Sequence, residues 1–386
     1  MTLKHSIQLV LLAALAVLAG CGGPKLHFVQ EGAPEDDLPK IRGDRFLDKA
    51  WDYRLSEGFT AETNILEAQV VGDSIFMAGP EGDVASLAIA DGTVNWRVEL
   101  DTPLTAGVGV GDGLVMVATS EGEVIALSAG DGSRIWGRLV GGEVLARPVS
   151  ATDVVIVRVG DDRLVGLDSS TGEVRWSIVK NVTGLSVRGI STPLLNGRGV
   201  VAGLADGRLL AADVDTGNVL WESAVGRRRG SDRVQQLADI DADPALYGTI
   251  LYVASFQSRI AAMALGNPRV IWSAEVSTLR DLEIDENNVY VVAAGGTIVA
   301  LNRYSGEELW RQEALRGRGL SPAMSYRDKV IVGDFEGHIY QLDGATGEPT
   351  SMQKSGGGAV ISKPLRVGDV VFLSHESGRI SAMKLL

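Results

Sequence analysis

Apolar residues in this chain gather in short, dense runs and never in long periodic stretches. VVIVRV (154–159), LYVAS (251–255), VYVVAA (289–294) and VIVGD (330–334) are rich in β-branched residues, and most such runs are closed by Gly, Asp or Asn. Segments of this kind read as β-strands. No amphipathic stretch of 3.6-residue period persists beyond the first twenty residues, and 48 glycines are too many for a helical protein. The pattern predicts an all-β body.

The runs recur in register. Trp96, Trp136, Trp176, Trp221, Trp272 and Trp310 are spaced by 40, 40, 45, 51 and 38 residues. Each closes a similar phrase: GDVASLAIADGTVNW, GEVIALSAGDGSRIW, DRLVGLDSSTGEVRW, GRLLAADVDTGNVLW, SRIAAMALGNPRVIW and GTIVALNRYSGEELW. A seventh copy, GHIYQLDGATGEPTSM, has Ser351 at the Trp position. Strand-only repeats of roughly 40–50 residues indicate a propeller, with one four-stranded blade per repeat. The Asp-Gly, Thr-Gly or Ser-Gly pair is the hairpin joining the two outer strands, its glycine taking φ > 0. Four residues on, the Trp ring is placed to wedge between adjacent blades. The final piece, GRISAMKLL, has no room for a Trp strand, whereas KAWDYRL near the start supplies Trp51 with no strand before it. The two ends are therefore expected to share one blade, which closes an eight-bladed ring over residues 45–386 and leaves no open sheet edge.

The first residues follow a different logic. Lys4 and His5 precede an apolar run, Ile7 to Val17, too short to span a bilayer but suited to a secretory signal. Leu18-Ala19-Gly20-Cys21 holds the chain's single cysteine, so neither a disulfide nor a multi-thiolate metal site is available. The segment resembles a bacterial lipobox, which implies cleavage after residue 20 and acylation of Cys21. At about 0.8 kcal/mol per buried CH₂, three acyl chains make a stable anchor. Gly22 after the cysteine, in place of Asp, implies sorting to the outer membrane. Residues 21–44, rich in Gly, Pro and acid groups, then read as a flexible tether, about twenty residues of which reach roughly 25 Å.

A net charge of −13 argues against a nucleic-acid partner. Nothing organises catalysis either. There is no Cys-Cys pair, no H-x-x-x-H, and no phosphate-binding or nucleophile-elbow motif. Asp239, Asp241 and Asp243 imitate the start of a calcium loop, but Pro244 and Ile250 stand where that loop needs Gly and Glu. No cofactor is expected. His338 and His375, in corresponding repeat turns, are expected at the surface.

Function is sought where the repeat is interrupted. Trp136 to Pro148 and Trp310 to Pro322 take 12 residues, but Trp176 to Pro193 takes 17 and Trp221 to Pro244 takes 23. Both insertions lie in the connection from an outer strand to the next inner strand, so they emerge on one face from neighbouring blades and make a candidate site. Taken singly, Arg188 reads as a solvated loop arginine, Asp239 and Asp241 as turn formers, and Arg227 to Arg229 as a basic run that could pair with the Asp loop or face an acidic partner.

The Trp-bearing repeats resemble the eight-bladed quinoprotein propellers, a likeness specific for fold and weak for function. Leu185-Ser186-Val187-Arg188-Gly189 followed by Asp239-x-Asp241, together with the lipobox, resembles the BamB family of the outer-membrane β-barrel assembly machinery. Val187 stands where that family's pattern has Leu. The resemblance implies a non-enzymatic scaffold, lipid-anchored on the periplasmic face of the outer membrane. In that family these loops dock a POTRA domain of BamA, and the role extends to presenting nascent outer-membrane proteins. Arg229 joins the candidate partner-binding residues. Two other readings remain open at this level: a periplasmic quinoprotein (PQQ)-type dehydrogenase or its degenerate relative, which would need the missing cofactor chemistry, and a propeller binding sugar or peptidoglycan fragments, which would need aromatic platforms.

Overall fold

The structure is a computed structural model, and it describes residues 40–41, 43–59, 66–180, 191–225, 240–255 and 259–386. All its regular elements are strands, arranged in eight four-stranded antiparallel sheets. Seven sheets are consecutive meanders: blade 1 (69–99), blade 2 (104–139), blade 3 (149–178), blade 4 (194–224), blade 5 (245–274), blade 6 (283–312) and blade 7 (324–354). Blade 8 takes three strands from the C-terminus, Leu365–Val367, Val370–Ser374 and Arg379–Leu385, and its outermost strand, Leu47–Arg54, from the N-terminus. The eight-bladed ring with a shared closing blade is thus observed.

Burial explains the apolar runs. The middle strands are covered on both faces by neighbouring blades, as in Val154–Arg158, where all five residues are buried. Their sequences are therefore continuously apolar instead of alternating. The outermost strands bury little besides the Trp, as in Val174–Ile178. Each hydrophobic cluster joins one blade to the next, and together they occupy all eight seams.

One device fastens six of the seams. A bulge one residue before each Trp, such as the shift between Gly166 and Leu167 opposite Trp176, turns the ring toward the following blade. There its Nε1–H donates to a carbonyl in the third-to-fourth-strand turn: Trp51 to Ile89 (3.0 Å), Trp96 to Ala129 (2.9 Å), Trp136 to Ser169 (2.7 Å), Trp176 to Val214 (2.8 Å), Trp272 to Arg303 (2.8 Å) and Trp310 to Gly344 (2.9 Å). The turn glycine lies flat against the ring. At Gly172, φ is +70° and a Cβ would come 2.7 Å from Trp136 Cε3.

The other two seams differ. Ser351 pairs with Gln341 as Trp310 pairs with Ala300, so it does occupy the Trp position. The blade it faces has no third-to-fourth-strand turn, because those strands come from opposite ends of the chain, and a ring there would have nothing to dock on. Gln353 fastens this seam instead. Its Oε1 accepts from the amides of Phe46 (3.2 Å) and Leu47 (3.1 Å), and its Nε2 donates to the Leu47 carbonyl (3.0 Å). At the seam of blades 4 and 5, Trp221 is only half-buried. The turn it faces contains Gly266, which has ordinary φ and open space around it.

Candidate functional site: the long-connection face and channel mouth

In a four-stranded meander, the link from the fourth strand to the next blade's first strand leaves from the same end as the second-to-third-strand turn. All eight links therefore share one face, opposite the Trp-docking turns. The longest are 179–193 and 225–244, on either side of blade 4. The link 55–68 comes close in length, a feature the repeat spacing did not expose.

Most of the partner-binding residues expected from sequence, Leu185, Ser186, Val187, Arg188, Gly189, Arg229 and Asp239, lie outside the described residues, as do Arg227 and Arg228. Asp241 is described and is 5% exposed, at the foot of the second long link. Cys21 and the leader also lie outside the described residues. Among the described residues no helix is long and apolar enough to cross a membrane.

Both feet are built firmly. Arg158 on blade 3 donates from Nη1 to Ser191 Oγ (3.0 Å) and pairs with Asp162 (3.2 Å), whose carboxylate accepts from the Ala205 amide of blade 4 (3.3 Å). Lys180, where the first link begins, pairs with Glu222 on blade 4, and this bond holds the Glu222 carboxyl below its usual range. Gly203 sits between the two feet: a Cβ there would meet Ile240 Cγ2 at 2.6 Å and Ser191 Oγ at 3.0 Å.

Toward the ring axis the same face carries a cluster of charged and polar residues that the sequence did not bring together. Glu67, Arg147, Thr192, Asp243, Asp281 and Lys363 each stand two residues ahead of an innermost strand. Equivalent places in different blades therefore converge on the axis. Arg147 reaches across blade 4 to Asp243 (3.6 Å), and the Asp243 amide donates to Asp281 Oδ1 (2.8 Å). Lys363 pairs with Glu283 (2.7 Å) and donates to the Leu282 carbonyl (2.9 Å). Burial, then the Asp281 carboxylate, pushes Glu67 up to about 7 and Asp243 up to about 8. Burial lowers Arg280. A reading down the repeat column, one residue before Pro148, Pro193, Pro244 and Pro364, would have found Arg147, Thr192, Asp243 and Lys363.

A second cluster lies in blade 7. Asp334, Glu336 and His338 could together offer ligand atoms to a metal. Arg318 is already seated among them: it is 1% exposed, its Nε donates to Asp334 Oδ2 (2.7 Å), and it pairs with Glu336. The guanidinium supplies there the positive charge a metal would bring. His338 and His375, expected at the surface, are in fact buried at 2% and 0% exposure. The turns carrying them tuck beneath adjoining links, so that His375 Nδ1 lies 2.9 Å from the Gly358 carbonyl, and burial lowers its pKa.

A ring of Trp-docked four-stranded blades, closed by both chain ends, defines a propeller of the PQQ-like repeat class. Distant members share that fold alone: a europium-containing methanol dehydrogenase superposes with a TM-score of 0.73 at 12% identity, covering 88% of this chain and 93% of its own. Within the class the assignment is specific. The family described as outer membrane protein assembly factor BamB matches over residues 80–312 and 294–385. The protein of that name from Pseudomonas aeruginosa is 35% identical over 379 residues, covering 98% of both chains. The crystal structure of BamB from Moraxella catarrhalis superposes with a TM-score of 0.80 at 28% identity, covering 88% of this chain and all of that one. The chain belongs to the BamB family.

Proposed function

We propose that this protein is a non-enzymatic scaffold in outer-membrane protein assembly, held at the periplasmic face of the outer membrane by lipids on Cys21. Its long-connection face docks a POTRA domain of BamA. Leu185 and Val187 supply the apolar centre of the contact. Arg188, Arg229, Asp239 and Asp241 supply the charges that fix register and exclude wrong partners. Ser186 and Gly189 complete the first loop. The observation that carries this reading is the pairing of the two longest connections on one face of a BamB-family propeller, both rooted on blade 4. Arg's planar fork suits a partner carboxylate or backbone carbonyls, and an exposed strand edge on the partner would suit the loops.

The test is pull-down of BamA's periplasmic domains by full-length Arg188→Ala, Asp239→Ala and the double variant. As hot spots each should lose about 2–4 kcal/mol of binding, roughly 30- to 1,000-fold in Kd, with an unchanged melt. Undiminished capture by the double variant would refute the assignment. Asp241 is tested as Asp241→Asn because it is buried, and its melt is recorded beside the binding.

A further inference from the structure

We propose that Asp243 is the positioning residue of the docking face: its carboxyl group ties the feet of the two long connections to each other, and their setting depends on whether it carries a proton. The inference rests on the docking reading above only for its consequence in binding.

The geometry is centred on one side chain. Asp243 belongs to the foot of the second long connection, two residues ahead of the strand Ala245–Tyr247. Its Oδ1 accepts from the amide of Thr192, in the foot of the first long connection. Its Oδ2 lies 3.6 Å from Arg147 in the foot of blade 3, and its own amide donates to Asp281 in the foot of blade 6 (2.8 Å). One residue thus joins the feet of four consecutive blades, and the two long connections are the middle pair. Asp243→Ala would separate them, leaving the Thr192 amide without this acceptor.

The charges around it decide the response to pH. Asp243 faces Asp281 of blade 6, Glu67 ahead of blade 1 and Arg147 of blade 3; Glu67 in turn faces Arg147, Arg280 and Lys363. Burial and the two carboxylates favour the neutral acid, whereas Arg147 and the Thr192 amide favour the anion. The first set prevails, burial contributing most and the Asp281 carboxylate next. The sign is that of a raised carboxyl: the closed arrangement binds more protons than an opened one between the ordinary carboxyl range and about 8. The tie is therefore strongest at the acid end of that window and weakens as pH rises through 8. Asn at this position keeps an Oδ1 acceptor for Thr192 and removes the titration.

Amide hydrogen exchange of the full-length lipidated protein, corrected for intrinsic rates, reads the tie directly in peptides spanning 191–196 and 240–247. In the wild type, protection there should fall by roughly 50-fold from pH 6 to pH 8, the change carried by one proton whose closed-state value is about 8. Peptides in the outer strand of blade 7 should stay flat. Asp243→Asn should abolish the slope, and Asp243→Ala should lose protection at both pH values. A flat wild-type profile, or an unchanged slope in Asp243→Asn, overturns the proposal. Capture of BamA's periplasmic domains is measured alongside. Weaker capture at pH 8 by the wild type but not by Asp243→Asn supports the positioning role, and capture that ignores both pH and substitution overturns it. If the exchange result holds while the wild type captures nothing at either pH, the tie stands and the docking reading falls.

Discussion

Replacing Gly172 by Ala puts the fastening device under a direct test. Two penalties apply at this position. The backbone has φ of +70°, and a left-handed conformation costs an L-residue roughly 1–2 kcal/mol. The new Cβ would also lie 2.7, 2.8 and 3.2 Å from Cε3, Cδ2 and Cγ of Trp136. That ring cannot simply retreat, because its Nε1–H is bonded to the Ser169 carbonyl at 2.7 Å in the same turn. Overpacking of this kind costs about 1–3 kcal/mol. The sum is about 3 kcal/mol, and with an unfolding entropy of about 2.1 cal/mol/K per residue over roughly 340 residues it corresponds to a fall in Tm of about 4 °C.

The chain contains its own control. Gly266 occupies the matching turn of blade 5 but has ordinary φ and nothing within 4 Å of a built Cβ. Gly266→Ala should therefore be neutral, or stabilising by up to about 1 kcal/mol through the unfolded state. Calorimetric scans of both variants, with Trp136→Ala and its double with Gly172→Ala, separate the two penalties. In the Trp136→Ala background the packing share should vanish, leaving about 1–2 kcal/mol from the backbone alone. Equal melting shifts for Gly172→Ala and Gly266→Ala, or purely additive effects with Trp136→Ala, would refute the account.

Trp51→Ala should lower the Tm, since that ring lies on Gly92 (2.6 Å from its built Cβ) and 5.7 Å from Phe372 at the seam that closes the circle; an unchanged melt would refute its role in closure. Trp176→Ala, which empties a ring bonded to the Val214 carbonyl, should cost about 3–5 kcal/mol in the same scan. Cys21→Ser should leave an uncleaved precursor that takes up no labelled palmitate, and normal processing with outer-membrane fractionation would refute the lipobox.

What could be read from the chain alone was whatever its local chemistry repeats. A strand buried on both faces is apolar at nearly every position, so Val154–Arg158, whose one charged residue is paired with Asp162, announced itself. A turn that must both take positive φ and lie against a ring admits only glycine, so the glycine four residues before most of the repeat tryptophans, such as Gly172 before Trp176, stood out in the spacing, although the ring it meets is that of Trp136 in the preceding blade. The channel mouth was hidden because Asp243 taken singly reads as any other turn aspartate, and only the column of residues before Pro148, Pro193, Pro244 and Pro364 sets it beside its neighbours. Its character comes from Arg147 and Asp281, which reach it from other blades. The two histidines were misplaced for a related reason. Turn position suggested exposure, whereas the adjoining links, with Arg318 beside His338 and Gly358 beside His375, cover them.

The two departures from the repeat have different causes. At the seam of blades 7 and 8 the ring is absent because the chain ends removed its docking turn, and Gln353 replaces it with three hydrogen bonds to Phe46 and Leu47. At the seam of blades 4 and 5 the turn exists but is built differently, with Pro268 accepting from Ser223 Oγ at 3.1 Å in place of a carbonyl holding an indole. Aliphatic contacts among Val201, Leu209, Leu251 and Met263 form the interior of that seam. Its other end is tied by the foot of the second long connection, where Ile240 packs against Gly203 and Arg259 donates from Nε to the Val225 carbonyl at 2.7 Å. The connection that lengthens the candidate docking face thus also fastens the seam of the half-buried Trp221, so changes at its foot act on the ring as well as on the face.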